Sequence, residues 1–359
     1  MPRFAARVSA AVALAAVLAL ATAAPAYADP PVPAVTDLVG AGAPATDALF
    51  NQFSADYNAS LAAAGDTTSP RLYSWDARGG GTITPKTGAI SILRPANSNT
   101  AALALVNNSS ATVDFVRLNR PPRFTDPTTL DFVAFAKDAV SWAAPAGGNA
   151  PASLSGAVLR SIYACDITNW RQVDPSLPDA TIRPVVPGWF ASDPGNRWSS
   201  FSSDETVSLG NAVTGGLGTF YAGPCVTSGV GDNQGSEDIL HDPNAIVPYS
   251  VGRWVGQVTG GHRKPGDDPG VLVPHGIDGV PSVANGTLNP SFMSTPYSRI
   301  LYTGLRDAEW RGTDAHSQAL RNVFGNRGWL CTSPVAAADL QSYGFLRLSS
   351  FACGTTTHS

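Results

Sequence analysis

Residues 130–140 read LDFVAFAKDAV, an apolar run interrupted only by Asp131, Lys137 and Asp138. The run is too short to cross a bilayer and too continuous for a strand with one wet face. It predicts a strand buried on both sides that crosses a sheet. Strand–loop–helix units flank it. Residues 37–43 (DLVGAGA) read as a strand breaking into a glycine loop, and Thr46 or Asp47 caps a helix with apolar residues at Ala48, Leu49, Phe53 and Tyr57. Residues 94–100 (RPANSNT) place polar groups just before an Ala/Leu helix. Residues 112–116 (TVDFV) read as a short buried strand that ends in Arg117, Leu118, Asn119 and Arg120. Beyond the central run, residues 153–163 have helical periodicity, with Ser153 or Ser155 as cap. Residues 183–201 (RPVVPGWFASDPGNRWSSF) read as a strand entering a turn at Asp193–Asn196 ahead of a helix. Residues 245–258 read as a strand followed by a helix. This alternation predicts layered α/β architecture.

Composition narrows the class. The chain has 359 residues, 43% hydrophobic and 14% charged, enough for a large core in two domains or lobes. Residues 1–28 carry Arg3 and Arg7, a long apolar run, and Ala26-Tyr27-Ala28 before Asp29, the pattern of a cleaved secretory signal. No cysteine stands at that junction to carry a lipid, and no later stretch is apolar enough to span a membrane. The expectation is a secreted, extracellular product. Loss of the two leader arginines leaves 21 basic residues against 27 acidic, which argues against nucleic-acid binding. Cys165, Cys225, Cys331 and Cys353 suit two disulfides. Three connectivities are open, and neighbour pairing closes loops of moderate length.

The common catalytic signatures are absent. There is no G-x-S-x-G, no phosphate loop, no H-E-x-x-H and no CxxC, and no two of the five histidines have metal-ligand spacing. No nucleophile–base pair, metal or cofactor site can be named, so a non-enzymatic function is expected. Asp267 and Asp268, in the Gly/Pro-rich stretch GGHRKPGDDPG at 260–270, read as solvated loop residues. Helix N-termini preceded by polar loops remain, and such termini hold anions through free amides and the helix dipole.

Residues 153–173, SLSGAVLRSIYACDITNWRQV, resemble the "LT-x-x-QL-x-x-IY-x-G-x-ITNW" region of phosphate-type periplasmic solute-binding proteins. GAGAPATD, VDFVRLNR, FVAFAKDAV and NAIVPYSVGRWV follow the same order. The pair Gly328-x-x-Cys331 and Tyr343-Gly344-Phe345 is similar to the exported, disulfide-bearing actinobacterial branch. The resemblance implies a two-lobed type 2 periplasmic-binding-protein-like α/β fold with two crossing hinge strands. It divides the chain into a signal peptide (1–28), lobe one (29–137 and 261–359) and lobe two (138–260). It implies a monomer that captures a small anionic ligand, phosphate or a related oxyanion, and an ABC-type permease or cell-wall partner. The ligand loops carried over are Gly42, Ala43 and Thr46; Asn97, Ser98, Asn99 and Thr100; Arg117, Asn119 and Arg120; and Asp193, Gly195, Asn196 and Arg197.

The loops depart from the phosphate-binding pattern. Where Gly-Ser-Gly-Thr is usual the chain has Asp193-Pro194-Gly195-Asn196, so Pro194 removes an amide donor and Asp193 adds negative charge. Where Ser-Asp is usual it has Leu118-Asn119. Each lost donor to a desolvated anion costs affinity, which leaves a binding fold with a degenerate ligand site as the alternative expectation.

Overall fold

The computed structural model describes residues 29–188, 203–215 and 222–358. The leader and the loop residues Asp193, Gly195, Asn196 and Arg197 lie outside the described residues. The main strands in chain order are β1 (Leu38–Gly42), β2 (Leu72–Ser74), β3 (Phe115–Leu118), β4 (Leu130–Pro145), β5 (Arg183–Pro187), β6 (Thr227–Val230), β7 (Ala245–Ser250) and β8 (Ser298–Arg306). The main helices are α1 (Asp47–Ala63), α2 (Ser98–Val106), α3 (Gly156–Ala164), α4 (Asp204–Thr214), α5 (Val251–Val258), α6 (Ala315–Phe324) and α7 (Pro334–Ser342).

These strands form one curled sheet in the order β2-β1-β3-β8-β4-β7-β5-β6. The trio β2, β1 and β3 is parallel, as is the trio β7, β5 and β6. Antiparallel β8 and β4 join the two trios. The apolar run of β4 therefore serves both units: residues 130–139 pair with β8, and residues 140–143 pair with β7. Two strands crossing between two α/β units make the two-lobed architecture.

Each lobe buries apolar side chains on both faces of its sheet. In the first, Leu49, Phe50 and Phe53 of α1 and Leu320 and Phe324 of α6 cover Phe115 and Phe135, while Ala101 and Leu105 of α2 cover Val116 and Phe132 opposite. In the second, Trp142, Leu159, Ile162, Trp170 and Leu209 form one core, and Val185, Leu240, Val247 and Tyr249 the other. Some residues beyond 261 pack on the second lobe's core. Ile277, Leu288, Phe292 and Tyr297 pack with Trp142 and Leu154 in the second core, and Leu272–Pro274 pairs with residues 143–145 of β4. β8 then pairs with β3 of the first lobe and with β4.

Helix starts follow local chemistry. Ser155 caps α3 by accepting from the Val158 amide, and Asn97 and Thr100 form a reciprocal capping box at α2. Cys165 bonds to Cys225 and Cys331 to Cys353, the neighbour pairing expected. The first ties the end of α3 to the approach to β6; the second closes the C-terminal segment onto the first lobe. Their sequence separations of 60 and 22 residues correspond to about 4 and about 3 kcal/mol in the chain-entropy model. Urea denaturation of Cys165→Ser/Cys225→Ser and Cys331→Ser/Cys353→Ser variants should show losses of that order, with the first pair costing the more.

Candidate functional site

Two helix N-termini, α2 of the first lobe and α4 of the second, meet across the interlobe cleft. Ser98 opens α2, and its amide and Oγ donate to Oδ2 of Asp204 at 3.0 and 2.7 Å. Asp204 opens α4, whose cap Ser203 accepts from the Thr206 amide at 3.1 Å. Acidic residues in a first helical turn complement the macrodipole, and Asp204 faces a second positive helix end as well. Hydrogen bonds to a charged group contribute about 1.5–3 kcal/mol each. Burial, and the charge of Glu205 beside it, push the Asp204 carboxyl above its ordinary value, while the bonds from Ser98 hold it down.

The residues singled out in the sequence have varied fates. Gly42 has φ +131°, and a Cβ there would lie 2.6 Å from the Arg117 carbonyl oxygen, so glycine lets β1 close onto β3. Ala43 and Thr46 are buried beside it, and Thr46 Oγ1 has no partner among the described residues. Asn97 and Thr100 are engaged in the α2 cap. Asn99 Oδ1 accepts from Arg120 Nε at 3.2 Å and from an Arg123 guanidinium nitrogen at 3.0 Å. Arg117 clamps the fold: fully buried, its guanidinium donates to the carbonyls of Gly42, Ala43 and Trp75 and to Ser74 Oγ. Burial pulls its pKa down to about 10, against the charges of Asp47 and Asp76. Arg120 is held by Asp126 through two bonds of 2.6 and 2.7 Å. Ser98 and Asn119 meet: the Asn119 amide donates to Ser98 Oγ at 2.9 Å.

A cavity of about 850 Å³ opens next to this contact. Pro44, Ile92, Leu103 and Ala104 of the first lobe and Gly188 and Val230 of the second supply apolar wall, and Asn97 and Ser203 lie at its edge. Its two described cations are already matched. Arg94 pairs with Asp29 at 2.7 Å, and Arg78 lies 3.5 Å from Asp47 and 3.4 Å from Asp267. Arg253 completes that cluster, pairing with Asp267 and, at 3.2 Å, with Asp47. Burial would raise Asp47, but Arg78 and Arg253 beside it hold it below the ordinary value. Asp267, read from sequence as a solvated loop residue, is thus fully buried, because Arg253 and Gln257 of α5 draw it inward.

Sequence reasoning missed Ser203, Asp204, Glu205 and Asp232. The signal was present: Ser203-Asp204-Glu205-Thr206 is a cap with an acidic first turn directly ahead of Val207, Leu209 and Ala212. Asp232 lines the cavity, and burial together with the charge of neighbouring Glu205 pushes it well above the ordinary carboxylate range. Without a proton, Asp232 Oδ1 and Glu205 Oε2 have no donor among the described residues; a proton on Asp232 pairs them. Arg299 balances Glu205 at 3.0 Å. Because the folded-state pKa of Asp232 is raised, its stabilising contribution is full below the ordinary 3.8 and is lost as pH rises through the raised value. Asp232→Asn mimics the protonated form, so its stability relative to wild type should grow from about pH 5 to about pH 8, read by thermal unfolding at both ends.

No protein-family model and no curated protein matches the chain. Solved structures do. An ABC-type phosphate transport receptor from Vibrio cholerae is 14% identical, with 87% of this chain and 100% of that one covered and a TM-score of 0.56. A protein from Clostridium perfringens, described as a phosphate ABC transporter substrate-binding protein and solved with bound phosphate, is 12% identical over 87% and 100%, with a TM-score of 0.57. In the arrangement of its lobes and crossing strands, the chain has the two-lobed α/β fold of periplasmic phosphate-binding proteins.

Proposed function

We propose that this protein is a secreted solute-binding protein that captures a small solute in its interlobe cleft, without chemistry, for an ABC-type permease or a cell-wall partner. The observation that carries this reading is the cavity of about 850 Å³ whose walls come from both lobes. That volume suits a small organic ligand, and closure of two lobes around it provides affinity that depends on contacts to both. The leader, the absence of any helix among the described residues that is long and apolar enough to cross a membrane, and two disulfides support an exported product. The relatives' phosphate is the ligand the fold suggests. Their oxyanion chemistry is weakly supported here, since the described cavity arginines are matched by carboxylates and Ser98 already serves Asp204. An organic solute that uses the apolar wall fits the cavity better than free phosphate.

A second reading is favoured by that same contact. A cleft bridged by its own side chains suits a binding fold turned to extracellular protein interaction. Native mass spectrometry of the secreted protein, with calorimetric titration by inorganic phosphate and sulfate, separates the two. A co-purifying small molecule, with no saturable phosphate heat at millimolar concentrations, is the expected result. Micromolar phosphate affinity would overturn the preference for an organic solute, and an empty cleft in protein taken directly from the medium would favour the interaction role.

A further inference from the structure

We infer that Asp204 is a tethered stand-in for an oxyanion: its carboxylate occupies an anion position at the N-terminus of α2 and bridges the lobes, so the native protein excludes free oxyanions there. This rests on reading the cleft as a solute site, and adds which residue sets the ligand class.

The geometry is that of a bound anion. Asp204 Oδ2 receives a helix-terminal amide and a hydroxyl from the same residue, Ser98, the donor pair a free oxyanion would recruit. Donor and acceptor are 106 residues apart and belong to different lobes. Asp204 is 4% exposed, and Ser98 is fully buried. α2 extends over nine residues behind this position, so its dipole and free amides are those of a full helix.

A second, independent feature marks the position as built for a ligand with more acceptors than one carboxylate oxygen supplies. Asn119 is fully buried and adjoins Ser98 through its amide, yet neither Nδ2 nor Oδ1 of its side chain has a partner among the described residues. Buried donors left unmatched are costly, and native proteins rarely keep them without reason. Cations surround the position without bonding Asp204: Arg120 is held by Asp126, Arg117 by carbonyls, Arg299 by Asp138 and Glu205, and Arg123, on which the Asp204 charge acts, by Asn99 Oδ1. One internal carboxylate thus takes both Ser98 donors, and the side chain of Asn119, whose backbone joins the same serine, stays unmatched among the described residues.

Two variants of the full mature chain test this. Asp204→Ala removes the carboxylate, and Asp204→Asn keeps its shape while presenting an amide to the Ser98 donors. Thermal unfolding and calorimetry with sodium sulfate and sodium phosphate, each against sodium chloride at matched ionic strength, report on the vacated position. Small-angle scattering in chloride alone reports on lobe closure. The expected result is a saturable, anion-specific stabilisation in Asp204→Ala with at least tenfold tighter sulfate or phosphate binding than wild type, and a larger radius of gyration in chloride that shrinks when the anion is added. Should Asp204→Ala fail to fold, Asp204→Asn is expected to show the same gain in smaller measure. Absence of any anion-specific gain in every folded variant overturns the inference, as does micromolar sulfate or phosphate binding by wild type. Failure of the solute-capture reading looks different: wild type carries no co-purifying solute, while Asp204→Ala still opens in chloride and still gains the anion.

Discussion

Asp138, a carboxylate with no solvent exposure on the crossing strand β4, is the constraint on which the two-lobed arrangement depends. Burying a lone carboxylate costs several kcal/mol, so such a group persists only when its surroundings are fixed to serve it. Four donors do so: Nε and a terminal nitrogen of Arg299 at 3.0 and 2.8 Å, Ser250 Oγ at 2.9 Å and the Gly252 amide at 2.9 Å. Arg299 lies on the other crossing strand, directly opposite Asp138 in register. Ser250 ends β7 and Gly252 lies in the first turn of α5, so one carboxylate fixes both hinge strands and the strand–helix corner of the second lobe. A Cβ at residue 252 would meet Asp138 Oδ1 at 2.7 Å, and glycine is what lets the amide come this close.

From that hinge the electrostatics lead straight to the cleft. Arg299 also bonds Glu205 at 3.0 Å, and the next residue back, Asp204, reaches Ser98 in the other lobe. Hinge register, α4 placement and the interlobe contact are therefore linked through three acidic residues and one arginine. The first lobe is organised likewise. Arg78, Arg94, Arg117 and Arg120, joined by Arg253 reaching over from α5, hold carboxylates or backbone carbonyls in place. At these positions the arginines act as internal struts.

This explains what the sequence made legible. The run at 130–140, the strand–loop–helix units at 37–57 and 94–106, the helix capped by Ser155, one of two candidates, and the disulfide pairing all depend on local pattern or chain spacing, and the structure agrees with them. The helix start expected after Asp193–Asn196 lies outside the described residues, while α4 begins at Ser203–Thr206, a stretch with cap chemistry of its own. The contacts that hold α4, to Ser98 and Arg299, are distant in sequence, and local propensity does not carry them. Asp267 misled for the same reason. Nothing in GGHRKPGDDPG points to Arg253, which packs against it only when α5 and the following loop are folded. The Gly/Pro-rich stretch that resembles a linker touches the first lobe through Asp267 and Lys264 and precedes strands packed on the second core.

An internal carboxylate and a free anion compete on unequal terms. A group fixed to the same chain is present at an effective concentration of millimolar or more once the lobes approach, so a dissolved oxyanion must bind tightly before it displaces the tethered one. Two donors from one serine, without an unmatched cation among the described cavity arginines, do not supply that tightness. The apolar wall formed by Pro44, Ile92, Leu103 and Val230 is untouched by this competition, because Asp204 lies outside the cavity lining. A cleft arranged in this way can hold its lobes together by an internal ion and still select its solute by shape and apolar contact, separating closure from charge recognition.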